Sequence, residues 1–357
     1  MNELSDLIPL LYFPGHQRHH PLFEYDRGQQ VAYQEVPRRV ESACKALAAL
    51  PFTRLVVTDR LATREELLQV HSPSVLDYLQ NTAQRAAVED DLHPHQAPLY
   101  QYPWIYPLKA SMRLGLENSP DPAGCFAFDT YAPVGRHTWE AVCGSAALAI
   151  RAAEMLREAN QRLVYALCRP PGHHAGSDYT GGYCYLNNAA LAAQILSAGG
   201  RGAILDIDYH HGNGTQDIFW QNPDIIFISL HADPHDEYPF FSGFASEIGG
   251  DSAQGTTLNL PLPKGCNDTT YLKALSHALH AIRSFKPNWL VLSAGYDTCA
   301  ADPSTFFELS DTVYIEIGRQ IGALELPALI VHEGGYAVEH NGLLAANLLK
   351  GFTSVKK

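Results

Sequence analysis

Short, nearly continuous apolar runs recur along this chain, at residues 7–13, 55–57, 163–168, 203–208, 225–231, 257–262, 289–294 and 328–332. Runs that lack an alternating polar face predict strands buried on both sides, as in a parallel sheet. Between them, residues 38–50 and 138–160 carry apolar side chains at helical spacing, and residues 70–84 read as a turn entering a helix. An Ala/Leu-rich helix follows the loop Gly181-Gly182-Tyr183. Strands alternating with helices predict an α/β fold: a central, mostly parallel sheet of about eight strands, flanked by helices on both faces.

Two stretches break the pattern. Residues 15–39 form a polar segment rich in His and aromatics, with no period, and read as a loop. From 89 to 137, Pro, aromatics and acids are mixed without periodicity. A loop this long in a compact domain is usually a functional segment or an interaction surface. Tyr102, Trp104, Ile105 and Tyr106 either pin it to its own domain or present a subunit contact. No internal repeat, low-complexity tract or linker divides the chain, so residues 1–357 read as one domain.

The net charge of −13 argues against a nucleic-acid partner, which needs clustered Lys and Arg, and is compatible with a cationic substrate. Seven scattered cysteines without a CxxC pair fit reduced thiols in a cytoplasm better than a disulfide framework. The start, MNELSDLIPLLYF, has acids where a signal peptide carries bases. No apolar run approaches the length of a membrane span.

Polar clusters follow strand after strand: RPPGHH, DIDYHH, SLHAD, SAGYD and VHEGGY. Open α/β sheets bind ligands beyond the carboxyl ends of their strands, so these clusters should converge on one crevice. Asp206, Asp208 and His210 alternate along one run, which on an extended chain puts them on one side. Costly polar groups at the end of a buried strand call for a cation, a proton relay, or both. Asp208, His210 and the later Asp297 would give one nitrogen and two carboxylate ligands, the set of a catalytic zinc site with an open position, with Fe(II) or Co(II) as alternative occupants. His173 and His174 are acid–base candidates because imidazole titrates near neutral pH. Asp206 and Asn213 could fix their tautomers. Tyr336, after Glu333-Gly334-Gly335, is a candidate donor to a developing oxyanion.

RPPGHHA, GGYCYLNNAALAA, ILDIDYHHGNGTQ, SLHADP, SAGYDTCAADP and EGGY, in this order, resemble the histone deacetylase superfamily. The nearest resemblance is to its bacterial acetylpolyamine amidohydrolase branch, with the arginase-like α/β fold. It covers most of the chain from Thr138 onward, with weaker echoes before it. It implies zinc at Asp208, His210 and Asp297, tandem histidines at His173 and His174 with the second as general base, and a carbonyl-polarising Tyr336. It further implies a structural monovalent cation, potassium or sodium, beside the Asp206 side chain. That cation would also take the Ser229 hydroxyl and main-chain oxygens of Asp206, Asp208, His210 and Leu230. A second such site would lie near Phe219, Asn222, Ile225 and Thr256. Tunnel walls fall on Tyr183 and Tyr238, with Gly182 and Gly335 beside the substrate, and Asn213 stands where some relatives have Asp.

The resemblance implies deacetylation of a small cationic acetylated polyamine. The 89–137 insert would shape the tunnel mouth and a homodimer contact, and Asp129 would supply an acidic rim. Acetyl-lysine on protein or peptide is the alternative substrate and would need an open rim. A non-catalytic binding protein on this fold, and an arginase-type binuclear manganese hydrolase, are further readings. The last would need additional carboxylates where this chain has Tyr209 and Asn213.

Overall fold

The eight apolar runs form one sheet in a computed structural model that describes residues 7–105, 123–158 and 161–354. In chain order the strands are β1 (Ile8–Tyr12), β2 (Phe23–Asp26), β3 (Gln29–Ala32), β4 (Thr53–Val57), β5 (Tyr100–Gln101) and β6 (Val134–Gly135). They continue as β7 (Leu163–Ala166), β8 (Gly202–Asp206), β9 (Ile225–Ala232), β10 (Thr257–Leu262), β11 (Trp289–Ala294) and β12 (Ala328–His332). The helices are α1 (Arg38–Ala48), α2 (Arg64–Leu67), α3 (Pro73–Leu92), α4 (Thr138–Arg157) and α5 (Asn188–Leu196). After them come α6 (Asn213–Phe219), α7 (Asp268–Phe285), α8 (Val313–Gly322) and α9 (Val338–Thr353).

The large sheet runs β10-β9-β8-β11-β12-β7-β1-β4, and all of its pairings are parallel. Alternate residues of the inner strands feed two cores, while Leu55 and Val57 of the edge strand β4 are exposed. Leu205, Ile228, Leu292 and Ile330 face one side with α1, α7, α8 and α9. Ile204, Phe227, Val291 and Leu329 face the other with α4 and α5. Each such side chain contributes about 1.5–3 kcal/mol on burial, which fixes the register.

The order places the site. From β7 the chain crosses to β8 and leaves a gap, which β11 and β12 later fill. Loops after β7, β8, β11 and β12 therefore open over the middle of the sheet, where the connectivity reverses.

Three expectations need correction. The run at 203–208 stops being a strand at Asp206, so Asp208 and His210 lie in the following loop and not on an alternating strand face. The segment read as a loop contains the hairpin β2–β3, closed by Arg27 and Gly28 at φ 47° and 80°. Positive φ at both central residues is the type I′ turn that matches strand twist. The helix entered at residue 73 continues to Leu92, so the insert begins inside α3. Within the insert, Tyr100 and Gln101 of β5 pair antiparallel with Gly135 and Val134 of β6. Tyr106 lies outside the described residues.

Candidate active site

Two consecutive carboxylate turns build the β8 loop. Asp206 Oδ1 accepts the Asp208 N–H at 3.1 Å, and Asp208 Oδ1 accepts the His210 N–H at 2.9 Å. Aspartate bonding the amide two residues on is a local turn device, and it explains the spacing of two without a strand. Asp297, in the loop after β11, accepts the Tyr209 N–H at 2.9 Å through Oδ1. Gly334, after β12, donates its N–H to Asp208 Oδ2 at 2.8 Å. A Cβ at Gly334 would stand 2.4 Å from Asp297 Oδ2 and 2.5 Å from Asp208 Oδ2, so only glycine permits this approach.

These contacts bring Asp208, His210 and Asp297 together, with ligand-type atoms all within 4.8 Å of one another. His210 Nδ1 lies 3.3 Å from Asp208 Oδ1 and 3.1 Å from Asp297 Oδ2. Burial, and then the charge of Asp208, push the Asp297 carboxyl up to about 7. Two buried carboxylates and one imidazole nitrogen, converging and mutually strained in charge, are a donor set suited to a divalent cation with an open position.

The tandem histidines come from the loop after β7. His173 Nδ1 donates to Asp206 Oδ2 at 3.0 Å, and His174 Nδ1 donates to Asn213 Oδ1 at 2.7 Å. The Asn213 amide is oriented by its own Nδ2, which donates to His174 O at 3.4 Å. The two imidazoles are driven apart. Burial lowers the His173 pKa, but Asp208 and Asp206 outweigh it and the group rises to about 10. Burial, with the positive charges of His173 and His210, holds His174 well below the usual value. His174 is therefore neutral, with its proton on Nδ1 and a lone pair on Nε2. Asn187 steadies this loop by capping α5 at Ala190 N while its Nδ2 donates to Ala175 O at 2.9 Å.

Aromatic rings pack beside these histidines. Tyr238 meets His174 edge-on at 5.1 Å and His210 at 5.9 Å between centroids. Tyr183 lies 5.5 Å from Tyr336, and Tyr131 lies 5.6 Å from Tyr183 and 6.3 Å from Tyr238. Tyr183 and Tyr238 are held by acids: Tyr183 donates to Glu24 at 2.9 Å and Tyr238 to Asp129 at 2.6 Å. Asp129 also accepts the N–H groups of Gly182 and Tyr131, so it is a half-buried tie between the insert and the loop of Gly182. At Gly182 (φ +51°) a Cβ would stand 2.4 Å from His174 Cδ2.

Sequence reasoning passed over the frame behind Tyr336. Arg39 lies 4.8 Å over its ring and donates to Gly335 O and, at 2.6 Å, to Glu333 O. Glu35 binds both Arg39 and Arg169, and all three side chains are fully buried. Asp302 Oδ2 accepts the Tyr336 and Ala337 N–H groups, and Glu333 Oε2 accepts that of Gly172 at 2.7 Å. The signals were thin: an arginine in VPRR, an acid in EGGY and another in AADP.

At the monovalent position, Asp206 and Ser229 are cross-strand partners. His231 Nε2 donates to Gly243 O at 2.9 Å, so its Nδ1 must accept the Ser229 O–H at 2.8 Å. The Ser229 oxygen keeps its lone pairs for a cation. Leu230 follows on β9. Of the second set, Phe219, Asn222 and Ile225 lie along the turn from α6 to β9, and Thr256 precedes β10 and donates to Ala253 O.

The histone deacetylase domain model matches residues 33–352. The chain belongs to the histone deacetylase family. Within this family, it is 40% identical over 352 residues to acetylpolyamine amidohydrolase 1 of Pseudomonas aeruginosa, covering 96% of this chain and 98% of that protein. Histone deacetylase 15 of Arabidopsis thaliana is 30% identical over 326 residues, which is 89% of this chain but 52% of that protein. A crystal structure of acetylpolyamine aminohydrolase from Burkholderia pseudomallei superposes with a TM-score of 0.89 at 34% identity, covering 97% and 99% of the two chains. The family's fold and its deacetylase or amidohydrolase character thus agree with the expectations from sequence.

Proposed function

We propose that this deacetylase-family chain hydrolyses the acetamide of small acetylated polyamines, giving acetate and a free amine. The observation that carries the proposal is end-to-end similarity: relatives named acetylpolyamine amidohydrolases align over nearly all of both chains. Asp208, His210 and Asp297 would hold zinc, or Fe(II) or Co(II), which when bound polarises a carbonyl and makes water more acidic. His174 would take the proton of the attacking water at Nε2 while Asn213 holds Nδ1–H. The Tyr336 hydroxyl would donate to the carbonyl oxygen as it gains charge. His173, held at Nδ1 by Asp206, would help to hold that charge, and the His174 imidazolium would return the proton to the departing amine.

Tyr183, Tyr238, Gly182 and Gly335 would line the path of the aliphatic chain, and rings at this spacing attract an ammonium group. The carboxyls of Asp129 and Glu24 behind them would favour a cationic substrate when ionised, which for Glu24 means above about pH 7. Potassium or sodium would sit at Asp206 and Ser229 and brace the β8 loop. Exposed Leu92, Leu99, Trp104 and Ile105 on the insert support a homodimer contact there. All seven cysteines are free, which fits the cytoplasm, and among the described residues no helix is long and apolar enough to cross a membrane.

The test is steady-state turnover of zinc-loaded protein on N-acetylputrescine, N8-acetylspermidine and an acetyl-lysine peptide in parallel. The free polyamines are expected to be preferred by about tenfold or more. Preference for the peptide would replace the polyamine reading with an acetyl-lysine one.

A further inference from the structure

A second group of metal-type ligands lies outside the site described above. Cys299 follows Asp297 in the loop after β11, Asp311 lies two residues before α8, and His340 lies in the first turn of α9. Their Sγ, carboxylate and imidazole nitrogen atoms all fall within 4.8 Å of one another. Cys299 Sγ is 3.2 Å from Asp311 Oδ1, and His340 Nδ1 is 3.3 Å from Asp311 Oδ2. Ligands bound at about 2.0–2.3 Å around tetrahedral zinc lie roughly 3.3–3.6 Å apart, close to these separations.

Cys299 Sγ donates to Asp311 Oδ1, a proton that a bound ion would replace, and the imidazole is left over. His340 Nδ1 is shut off from solvent yet has no hydrogen-bond partner, although Asp311 is beside it. Cys299 is buried, while the Asp311 and His340 side chains are 34% and 41% exposed. One side of the cluster is thus dry and sulfur-bearing, and the other is open for an ion to enter and for water to complete its shell.

We propose that Cys299, Asp311 and His340 form a second binding site for a thiophilic divalent cation of the zinc or cadmium class. Coordination releases the Sγ proton to the buffer and oxidises nothing. The ion joins three segments that meet behind Tyr336. Asp302, in the Cys299 loop, already holds the Tyr336 and Ala337 amides at the start of α9. A metal at His340 would be a second tie between the same two pieces of chain, and Asp311 would add the segment leading into α8.

This site does not depend on the proposed deacetylation, and its readout is separate. Asp208, His210 and Asp297 contain no sulfur, so the ultraviolet thiolate-to-cadmium band reports on a cysteine site alone. Zinc-loaded protein is titrated with Cd2+ while that band is followed. Wild type should show it, C299S should lack it, and H340A should need at least about tenfold more cadmium, as for loss of one ligand. No band in wild type, or the same band in C299S, overturns the site. Should C299S fail to fold, H340A at its half-exposed position decides: unchanged cadmium affinity overturns the proposal.

Discussion

Asn213 Oδ1 accepts the His174 Nδ1 proton at 2.7 Å, and this contact sets the tautomer of the imidazole that packs against Tyr238. A neutral amide steadies the ring without adding charge. A carboxylate would stabilise the imidazolium and raise its pKa. The expected outcome for Asn213→Asp is that the acidic limb of the kcat/KM pH profile moves to higher pH, since the base stays protonated longer. An unshifted limb would separate His174 from the general base.

His174→Ala and Tyr336→Phe should each lower kcat by ~100-fold or more, the scale for losing a general base or an oxyanion donor. Near-normal turnover in both would sink the catalytic assignment. Folding of each variant is checked by its thermal transition.

Asp297→Asn removes one of two carboxylates from the cluster of Asp208, His210 and Asp297. Metal at this cluster should be lost after dialysis, and chelator should lower the thermal midpoint less than it does in wild type. Metal content and melting curves check both. Equal retention of metal in the variant would place the ion elsewhere.

Glu24 offers a pH test away from that cluster. Burial raises its carboxyl to about 7, against the opposing hydrogen bonds from Tyr183 and Gln34. Between about 4.5 and 7 the folded protein holds a proton that the unfolded chain has released, so wild type loses stability as pH rises through this window. Glu24→Gln carries no such penalty. Its thermal midpoint should gain on wild type from pH 5 to pH 8; a constant difference would show that Glu24 does not titrate there.

Arg39→Met should cost about 3–5 kcal/mol of stability, because it leaves Glu35 with one cation fewer in a buried network. Turnover should fall as well, since Arg39 holds Gly335 and Glu333 on either side of the turn into Tyr336. Denaturant unfolding and kcat are the two measurements. A stable variant with normal kcat would show that the guanidinium is dispensable.

Much of this was legible before any coordinates. The strands of the large sheet announce themselves because Ile204-Leu205 or Val291-Leu292 must be apolar on both faces, which leaves no ambiguity of period. His173, Asp208, Asp297 and Tyr336 stood out because each follows such a run. Their mutual arrangement was misjudged at Asp208 and His210, whose spacing of two mimics a strand while backbone-to-carboxylate turns create it. The hairpin at Phe23–Ala32 hid because its outward residues are polar and its turn signal is a single glycine. Arg38 and Arg39 are neighbours of one type, yet one side chain is 69% exposed and the other wholly buried. A charge is spotted as buried only once its partner is known, and Arg169 and Glu35 come from distant loops.

The gap that the chain leaves between β7 and β8 is filled by the last two strands to leave the ribosome. His173, Asp208 and His210 are synthesised well before Asp297 and Tyr336, and the two halves meet only when β11 and β12 slot between strands already made. The candidate site thus straddles a seam of high sequence separation, with residues from before and after the crossover. A truncated or half-folded chain would carry histidines and carboxylates but no working centre, so competence is tied to completion of the chain.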